Sequence, residues 1–170
     1  MLKNDDDEIT VTVTRRNCVF ESGGLLFFSR LIEGNYLEYN KFIPTASKYS
    51  VVIETEVFIE SLTRAFLVTE DKALGQTKSY VKCNFTEEAL MISSVSVNGR
   101  VNDEITIEGM NGELEIGFSC RYLLDALRAC GTEKVICELN TPFSCMVIKP
   151  AEKDEMEDFL YLVLPVRMKG

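Results

Sequence analysis

Two stretches decide the fold, TEVFIESLTRAFLV at residues 55–68 and SCRYLLDALRA at residues 119–129. In both, apolar residues recur at the i, i+3, i+4 and i+7 spacing of one buried helix face. A hydroxyl residue that can cap a helix opens each stretch, and Gly131, just after the second, suits the left-handed position that ends a helix. The pattern predicts two helices, each with one face in a core.

When the first stretch is shifted by 64 residues, Thr55 aligns with Ser119, Phe58 with Tyr122 and Arg64 with Arg128. Apolar segments precede and follow each helix in the order β-α-β-β-β, so the whole unit occurs twice. We expect an α+β fold with both helices lying antiparallel on one face of a curved antiparallel sheet. The predicted strands of the two units are 49–53, 79–85, 89–97, 104–108, 113–118, 134–139, 143–148 and 159–166.

Ahead of the repeat, residues 9–32 form three runs that are rich in β-branched and aromatic residues, with turns at 15–16 and 22–24. We predict a three-stranded meander that ends at a break at residues 33–35. A meander of this size buries too little surface to be stable alone, so we interpret it as part of a larger sheet.

Composition excludes several classes of chemistry. The chain of 170 residues has 18 Lys or Arg, 27 Asp or Glu and no His, so it can build neither a nucleophile–imidazole pair nor an imidazole metal site. The net charge of −9 argues against strong nucleic-acid binding by the whole surface, although it leaves room for a local basic face. The acidic N-terminus and the absence of a long apolar run predict a cytoplasmic protein with no signal peptide and no membrane span.

The cysteines lie mostly within apolar patterns, and none forms a C-x-x-C pair. We interpret them as reduced core thiols rather than as disulfides or zinc ligands. They are Cys18, Cys83, Cys120, Cys130, Cys137 and Cys145.

Three segments carry a family resemblance: SRLIEGNYLEYNKFIP at 29–44, EIGF with YLLDAL within 115–127, and YLVLPVRM at 161–168. They resemble, in order, the link into the last domain, the final helix and the terminal strand of the bacterial sliding clamp, the beta subunit of DNA polymerase III. The resemblance implies that residues 1–34 are the last strands of an incomplete middle clamp domain. Residues 35–170 would be the third clamp domain, with its two β-α-β-β-β units and the processivity fold.

This resemblance implies a non-catalytic role in DNA replication, with no catalytic residue, metal or cofactor. In the family, two subunits close head to tail into a ring around duplex DNA and keep the polymerase near its template. The implied partners are the DNA polymerase III alpha subunit, the clamp loader, other proteins with a clamp-binding motif, and duplex DNA bound without sequence specificity. The full-length protein would be a homodimer. For this chain, which has no first domain to receive the interface, we expect a monomer or a weak non-ring dimer.

Clamp partners insert Leu and aromatic side chains of a short motif into an apolar pocket between the second and third domains. The resemblance implies that the third-domain wall consists of Leu37, Lys41, Phe42, Phe143, Cys145, Leu162, Leu164, Pro165, Val166, Arg167 and Met168. Here the sequence departs from the family, because Leu37 stands where Pro is usual and Phe42 where a smaller aliphatic residue is typical.

An alternative stays open for part of this wall. Phe143, Leu162 and Leu164 could equally be core residues of two paired strands. Residues 165–168 differ, because a proline interrupts the strand near a chain end, where exposure is the rule. We therefore expect these residues to be surface anchors whose removal leaves the fold nearly intact.

The helices supply the candidates for contact with DNA, which are Arg64, Arg121 and Arg128. In the family, such residues lie on helices that line the ring and face the DNA without base-specific contacts. Solvated ion pairs with Glu60 or Asp125 are the alternative.

A subunit interface is implied by resemblance at Leu67, Val68, Asp103 and Glu104. The two carboxylates could equally be charges that protect an edge strand.

Two other functions compete with the clamp assignment. The chain could be a stand-alone protein-interaction module, or an acidic metal-dependent enzyme domain that uses the carboxylates at 5–8 and 152–157. Such acidic runs are usually solvated tails.

Overall fold

A computed structural model describes residues 8–69, 80–96, 99–152 and 159–168. The chain divides into two compact units, one that ends at Tyr39 and one that begins at Asn40. Several sequence predictions fall outside the described residues. These are the acidic residues 5–7 and 153–157, the start of a strand at 79, and the turn at residue 98.

The first unit is a three-stranded antiparallel meander, as predicted. It consists of β1 (Thr10–Val13), β2 (Asn17–Ser22) and β3 (Leu25–Arg30). Val11 lies opposite Phe20, and Phe20 lies opposite Phe27, so these side chains share one face. All three are exposed. The meander therefore presents an apolar face, and its interpretation as part of a larger sheet stays a prediction.

The second unit contains the repeat. A short 3-10 turn, Tyr39–Lys41, leads into it. Its elements are β4 (Tyr49–Glu54), α1 (Thr55–Thr69), β5 (Val81–Phe85), β6 (Ala89–Ser96), β7 (Gly99–Thr106), β8 (Leu114–Phe118), α2 (Cys120–Cys130), β9 (Lys134–Leu139), β10 (Met146–Pro150) and β11 (Tyr161–Val163). The predicted β-α-β-β-β order therefore occurs twice, although β7 begins earlier and β10 later than expected, and β11 is much shorter.

Strands are exchanged between the repeats. One sheet has the order β7-β6-β5-β8 and the other β11-β10-β9-β4. The strand before each helix thus pairs, antiparallel, with the strand after the other helix. Each sheet takes three strands from one repeat and one strand from the other.

Two short bridges join these sheets at their outer edges. At the first seam, Val52 of β4 exchanges backbone hydrogen bonds with Glu108, just after β7, at N···O distances of 2.8 and 3.2 Å. At the second seam, Phe118 of β8 pairs with Pro165, just after β11. The expected curved sheet is therefore two four-stranded sheets closed on each other at two seams.

The helices run antiparallel, as predicted. At the start of α2, the Cys120 thiol donates to the carbonyl of Leu62 in the middle of α1 (3.2 Å). At the other end, Leu127 of α2 lines the same hollow as Ile59 in the first half of α1. Each helix packs on the strands of its own repeat, α1 on β5, β6 and β7 and α2 on β10 and β11.

The repeat offset is 65 residues rather than the predicted 64. At this offset the buried positions of the two helices coincide: Phe58, Leu62 and Ala65 in α1, and Leu123, Leu127 and Cys130 in α2. One residue turns a helix by about 100°, so the predicted match of Phe58 with Tyr122 paired a core position with a surface one. Tyr122 is in fact 61% exposed.

The predicted caps are found in part. Gly131 ends α2 in the left-handed conformation (φ 66°), as expected, and Ser119 precedes α2 in an extended conformation but makes no side-chain cap bond. Thr55 is the first helical residue of α1, because β4 runs into the helix without an intervening residue. Its buried hydroxyl has no hydrogen-bond partner in the described part of the chain.

The cysteines are free thiols, and all except the half-buried Cys18 are buried, as predicted. Burial raises the pKa of Cys120 to about 12 and that of Cys130 to about 11, and it also raises the pKa values of Cys83 and Cys137. These thiols are therefore held protonated and unreactive. In the described ranges, neither helix is long and apolar enough to cross a membrane.

Candidate functional site

An open groove of about 520 Å³ lies between α2 and the end of the chain. We call residues 164–168 the tail. From α2 the groove is lined by Tyr122, Asp125 and Ala126, and from β11 and the tail by residues 161–166. Asp125 is the one ionised side chain among these lining residues. The groove is therefore an apolar channel with a carboxylate at its helix side.

The shortness of β11 opens this groove. In the first repeat, β7 has 8 residues, whereas β11 has 3. Pro165 has no N–H to extend the ladder, so the strand stops and leaves the outer side of α2 uncovered. At the first seam the counterpart of Tyr122 is the smaller Val57, and the hollow there is only about 280 Å³ and carries Glu54, Glu108 and Lys134.

Four of the predicted pocket residues line the groove. They are Leu162, Leu164, Pro165 and Val166. Leu164 is 66% exposed and Phe143 is 78% exposed, which excludes the alternative that these two are core residues. Leu162 is half-buried.

The tail is docked rather than frayed. The Val166 N–H donates to the carbonyl of Gly117 in β8 at 2.8 Å, next to the bridge at the second seam. The side chain of Met168 lies over Gly117. Pro165, Val166 and Met168 are half-buried as a result, whereas Arg167 is exposed. The tail is therefore less exposed than the sequence predicted, because the glycine in β8 leaves room for it.

A second group of predicted residues lies beside the start of the tail. Met146 of β10 pairs with Val163 of β11. The next residues at this end of the two strands are Cys145, which precedes Met146, and Leu164, which follows Val163. The Cys145 thiol donates to the carbonyl of Phe42 at 3.4 Å. Phe42 is exposed, as is Phe143 in the preceding turn. Two predicted pocket residues, Phe42 and Cys145, thus meet at this edge, outside the groove itself, and Phe143 lies two residues before Cys145 in the chain.

The side chain of Asn140 holds the segment that leads into β4 against this edge. The Lys48 N–H donates to Oδ1 of Asn140 at 2.7 Å, and Nδ2 of Asn140 donates to the Ala46 carbonyl at 3.0 Å. Lys41 is exposed earlier in the same segment, and Leu37 is an exposed residue of the first unit.

Reasoning from sequence missed several lining residues, of which Tyr122 is the most exposed apolar one. The usable signal was the offset between the repeats, because the correct offset places Tyr122 on the outer face beside the short last strand. The others are Asp125, Ala126, Tyr161 and Val163.

The candidate DNA-facing arginines differ in their partners. Nε of Arg64 donates to Oδ2 of Asp103 at 2.9 Å, and Nη1 lies 3.9 Å from Glu60. Nε of Arg121 lies 3.8 Å from Asp125. Arg64 and Arg121 thus have the alternative ion pairs that the helical spacing predicted. Arg128 is exposed on α2.

One of the predicted interface residues, Asp103, is held by Arg64. Partial burial acts to raise the pKa of Asp103, but the hydrogen bonds from Arg64 prevail and hold this pKa below its usual value. Of the other three, Leu67 is 72% exposed, Glu104 is exposed and Val68 is half-buried. The Arg64–Asp103 contact therefore ties a candidate DNA residue to a candidate interface residue.

Metal-ligating side chains are not clustered in the residues that the structure describes. Within them, no group of three or more Cys, Asp or Glu side chains is arranged to hold a metal ion. Most of the two acidic stretches lies outside those residues.

Comparison with known proteins relates the second unit to a defined family. A family model described as DNA polymerase III beta subunit, C-terminal domain, matches residues 40–167. The chain belongs to this family. The match spans both helices, both seams and the groove, so the resemblance inferred from sequence is confirmed.

Curated relatives of this clamp family match nearly the whole chain. A beta sliding clamp of Streptococcus pneumoniae serotype 4 is 30% identical over 165 residues, and that of Bacillus subtilis is 29% identical over 169 residues. These matches cover 96% and 98% of this chain, but 42% and 43% of the relatives. The chain thus spans about two fifths of the length of the curated clamps that it matches.

Solved clamp structures confirm the fold. The DNA polymerase III subunit beta of Pseudomonas aeruginosa superposes with a TM-score of 0.82 at 25% identity, over 98% of this chain and 44% of that one. A DNA polymerase sliding clamp of Bacillus subtilis gives a TM-score of 0.79 at 29% identity, over 98% and 43%. The predicted α+β clamp fold is therefore correct.

Proposed function

We propose that this chain is part of a DNA replication processivity factor, a clamp subunit that holds the replicative polymerase on its template by binding short peptides. The observation that carries the proposal is the apolar groove between α2 and the tail, in a domain that the clamp family model matches. The role needs no catalysis. It requires a surface that binds partners, and the open groove beside residues 164–166 offers such a surface.

The groove is suited to Leu and aromatic side chains. Tyr122 and Leu164 are both more than half exposed, on opposite walls. Covering such a side chain fully contributes roughly 1.5–3 kcal/mol. Covering both side chains therefore contributes roughly 3–6 kcal/mol. A peptide that does so, and that pays the entropy of ordering its own chain, would bind weakly, with a Kd of about a millimolar. By the same relationship, we propose that the meander in the first unit belongs to the middle domain of a clamp.

A labelled peptide tests this proposal. We expect a fluorescein-tagged peptide with adjacent Leu and Phe residues to raise polarisation on titration with the chain. Leu164→Ala or Tyr122→Ala should weaken binding roughly tenfold, since each removes an exposed anchor. Val95→Ala is the matched control, because Val95 is 72% exposed on β6, outside the groove. Equal effects of all three substitutions, or an unaltered affinity of the two groove variants, would contradict the proposal.

The wider clamp functions are proposed by relationship. In a full-length homodimeric ring, Leu67, Val68, Asp103 and Glu104 would meet the neighbouring subunit. Arg64, Arg121 and Arg128 would face duplex DNA through non-specific backbone contacts. The partners would be the DNA polymerase III alpha subunit and the clamp loader, in the cytoplasm.

The ion pairs of these arginines affect which of them is available to contact DNA. Arg64 and Arg121 are each beside a carboxylate, so their charges are partly compensated. The exposed Arg121–Asp125 pair contributes little to stability, whereas Arg64 is held by the partly buried Asp103. Arg128 is then the strongest of the three candidates.

A further inference from the structure

The tail crosses β8 directly over a glycine. A Cβ atom built on Gly117 would lie 2.7 Å from Cγ of Met168, 3.0 Å from the Val166 carbonyl oxygen and 3.3 Å from Sδ of Met168. Real Cβ atoms essentially never approach another heavy atom within 3.0 Å. A side chain at position 117 would therefore require the Met168 side chain to move and the tail backbone at Val166 to shift by a few tenths of an ångström.

The backbone itself does not require glycine at this position. Gly117 is not among the glycines with positive φ, and it lies inside a regular strand where alanine is sterically acceptable. At the first seam the equivalent residue, 65 positions earlier, is Val52, whose carbonyl accepts a backbone hydrogen bond from Glu108 although Val52 carries a full side chain. The missing side chain at Gly117 is thus needed for the close approach of the tail, a recognised use of glycine within strands.

The same segment that lies on Gly117 forms one wall of the groove. Pro165 and Val166 line the groove, and Val166 is hydrogen-bonded to the Gly117 carbonyl. We propose that Gly117 is a positioning residue for peptide binding: its lack of a side chain sets the depth of the tail on β8 and thereby the width of the groove. The inference rests on the peptide-binding function proposed above.

Gly117→Ala tests the inference, with Gly99→Ala as the matched control. Gly99 is also a strand glycine without positive φ, and a Cβ there meets nothing within 4 Å. We expect Gly117→Ala to weaken binding of the Leu-Phe peptide by roughly tenfold, because the wall is displaced. Gly99→Ala should bind the peptide as the parent chain does.

A second readout reports the tail without any peptide. Trypsin can cut after the exposed Arg167, and we expect Gly117→Ala to be cut there several-fold faster than the parent, with no change at Arg128 in α2. Adding Met168→Ala to Gly117→Ala removes the side chain that is contacted at 2.7 Å. This second substitution should bring the cleavage rate after residue 167 back toward that of Met168→Ala alone.

The outcomes separate the two proposals. If the parent chain binds no peptide while Gly117→Ala still speeds cleavage after Arg167, peptide binding in the groove fails but the docking of the tail on Gly117 holds. If the parent binds the peptide and Gly117→Ala matches it in both readouts, the positioning role is refuted. If Gly117→Ala is cut at Arg128 as well and Met168→Ala does not rescue it, Gly117 serves global folding and the positioning role is again refuted.

Discussion

Removal of residues 166–170 measures how much the docked tail contributes to stability. The deletion loses the hydrogen bond from Val166 to the Gly117 carbonyl and the partial burial of Val166 and Met168. The hydrogen bond contributes about 1 kcal/mol. Half-burial of each side chain contributes about 1 kcal/mol more, which is half of the value for full burial. We therefore expect the free energy of unfolding to fall by about 3 kcal/mol.

Thermal unfolding followed by circular dichroism checks this value. For a chain of this length, about 3 kcal/mol corresponds to a melting temperature lower by roughly 6–12 °C. A chain that ends at Met168 is the control, since it keeps every contact named above. Peptide binding, measured beside the melts, should be lost in the shorter chain and kept in the control, because Val166 lines the groove. An unchanged melting temperature in the shorter chain would refute the docking of the tail on β8.

Three further predictions concern residues away from the tail. The pKa of Asp103 is lowered in the folded chain. Its ion pair with Arg64 therefore stabilises the fold fully at pH values above 3.8, the ordinary pKa of this carboxyl group, and the stabilisation is lost as the pH falls through the lowered pKa. The difference in urea midpoint between the parent and Asp103→Asn should accordingly shrink between pH 7 and pH 3, and a constant difference would contradict it. Thr55→Val should raise the free energy of unfolding by about 1 kcal/mol in urea melts, because it replaces a buried hydroxyl that lacks a partner with a methyl group of similar size. A destabilised Thr55→Val would mean that the hydroxyl does have a partner. Iodoacetamide should modify Cys18 alone in the native chain, as judged by mass spectrometry, and fast labelling of the buried Cys83 would show that the core opens readily.

Local periodicity was sufficient to predict both helices. Their ends lie within one residue of the predicted ones, because a run of apolar residues at helical spacing is a strong signal. The alignment of the helices with each other was off by one residue. It relied on Thr55 and Ser119 as equivalent caps, but Thr55 lies inside its helix whereas Ser119 lies outside. That single residue hid the exposure of Tyr122.

Contacts between distant residues were beyond the reach of local patterns. The helical spacing predicted Glu60 as the partner of Arg64, yet Asp103, on another strand, makes the closer contact. The tail, expected to be exposed beyond its proline, packs on Gly117, about fifty residues earlier in the chain. Both contacts were missed because a short segment does not encode what the rest of the fold places beside it.

The edge strand of the first repeat shows the same limit. β7 was expected at 104–108, where apolar and polar residues alternate, but it extends from Gly99 to Thr106. Its pairing with β6, which continues to Gly99 opposite Ser96, determines the strand rather than its own pattern. Strand boundaries follow the partner strand when one face is exposed.

The exchange of strands between the repeats determines how this unit folds. β4 pairs with β9, so Tyr49 lies opposite Leu139, about ninety residues along the chain. Neither sheet is complete until both repeats have been synthesised, and the loop that brings these strands together must close before their pairing offsets its entropy. We therefore expect slow folding, in one step that involves both halves. A chain cut between β7 and β8 would yield two halves that each lack one strand of their own sheet, and these halves should acquire structure only when mixed.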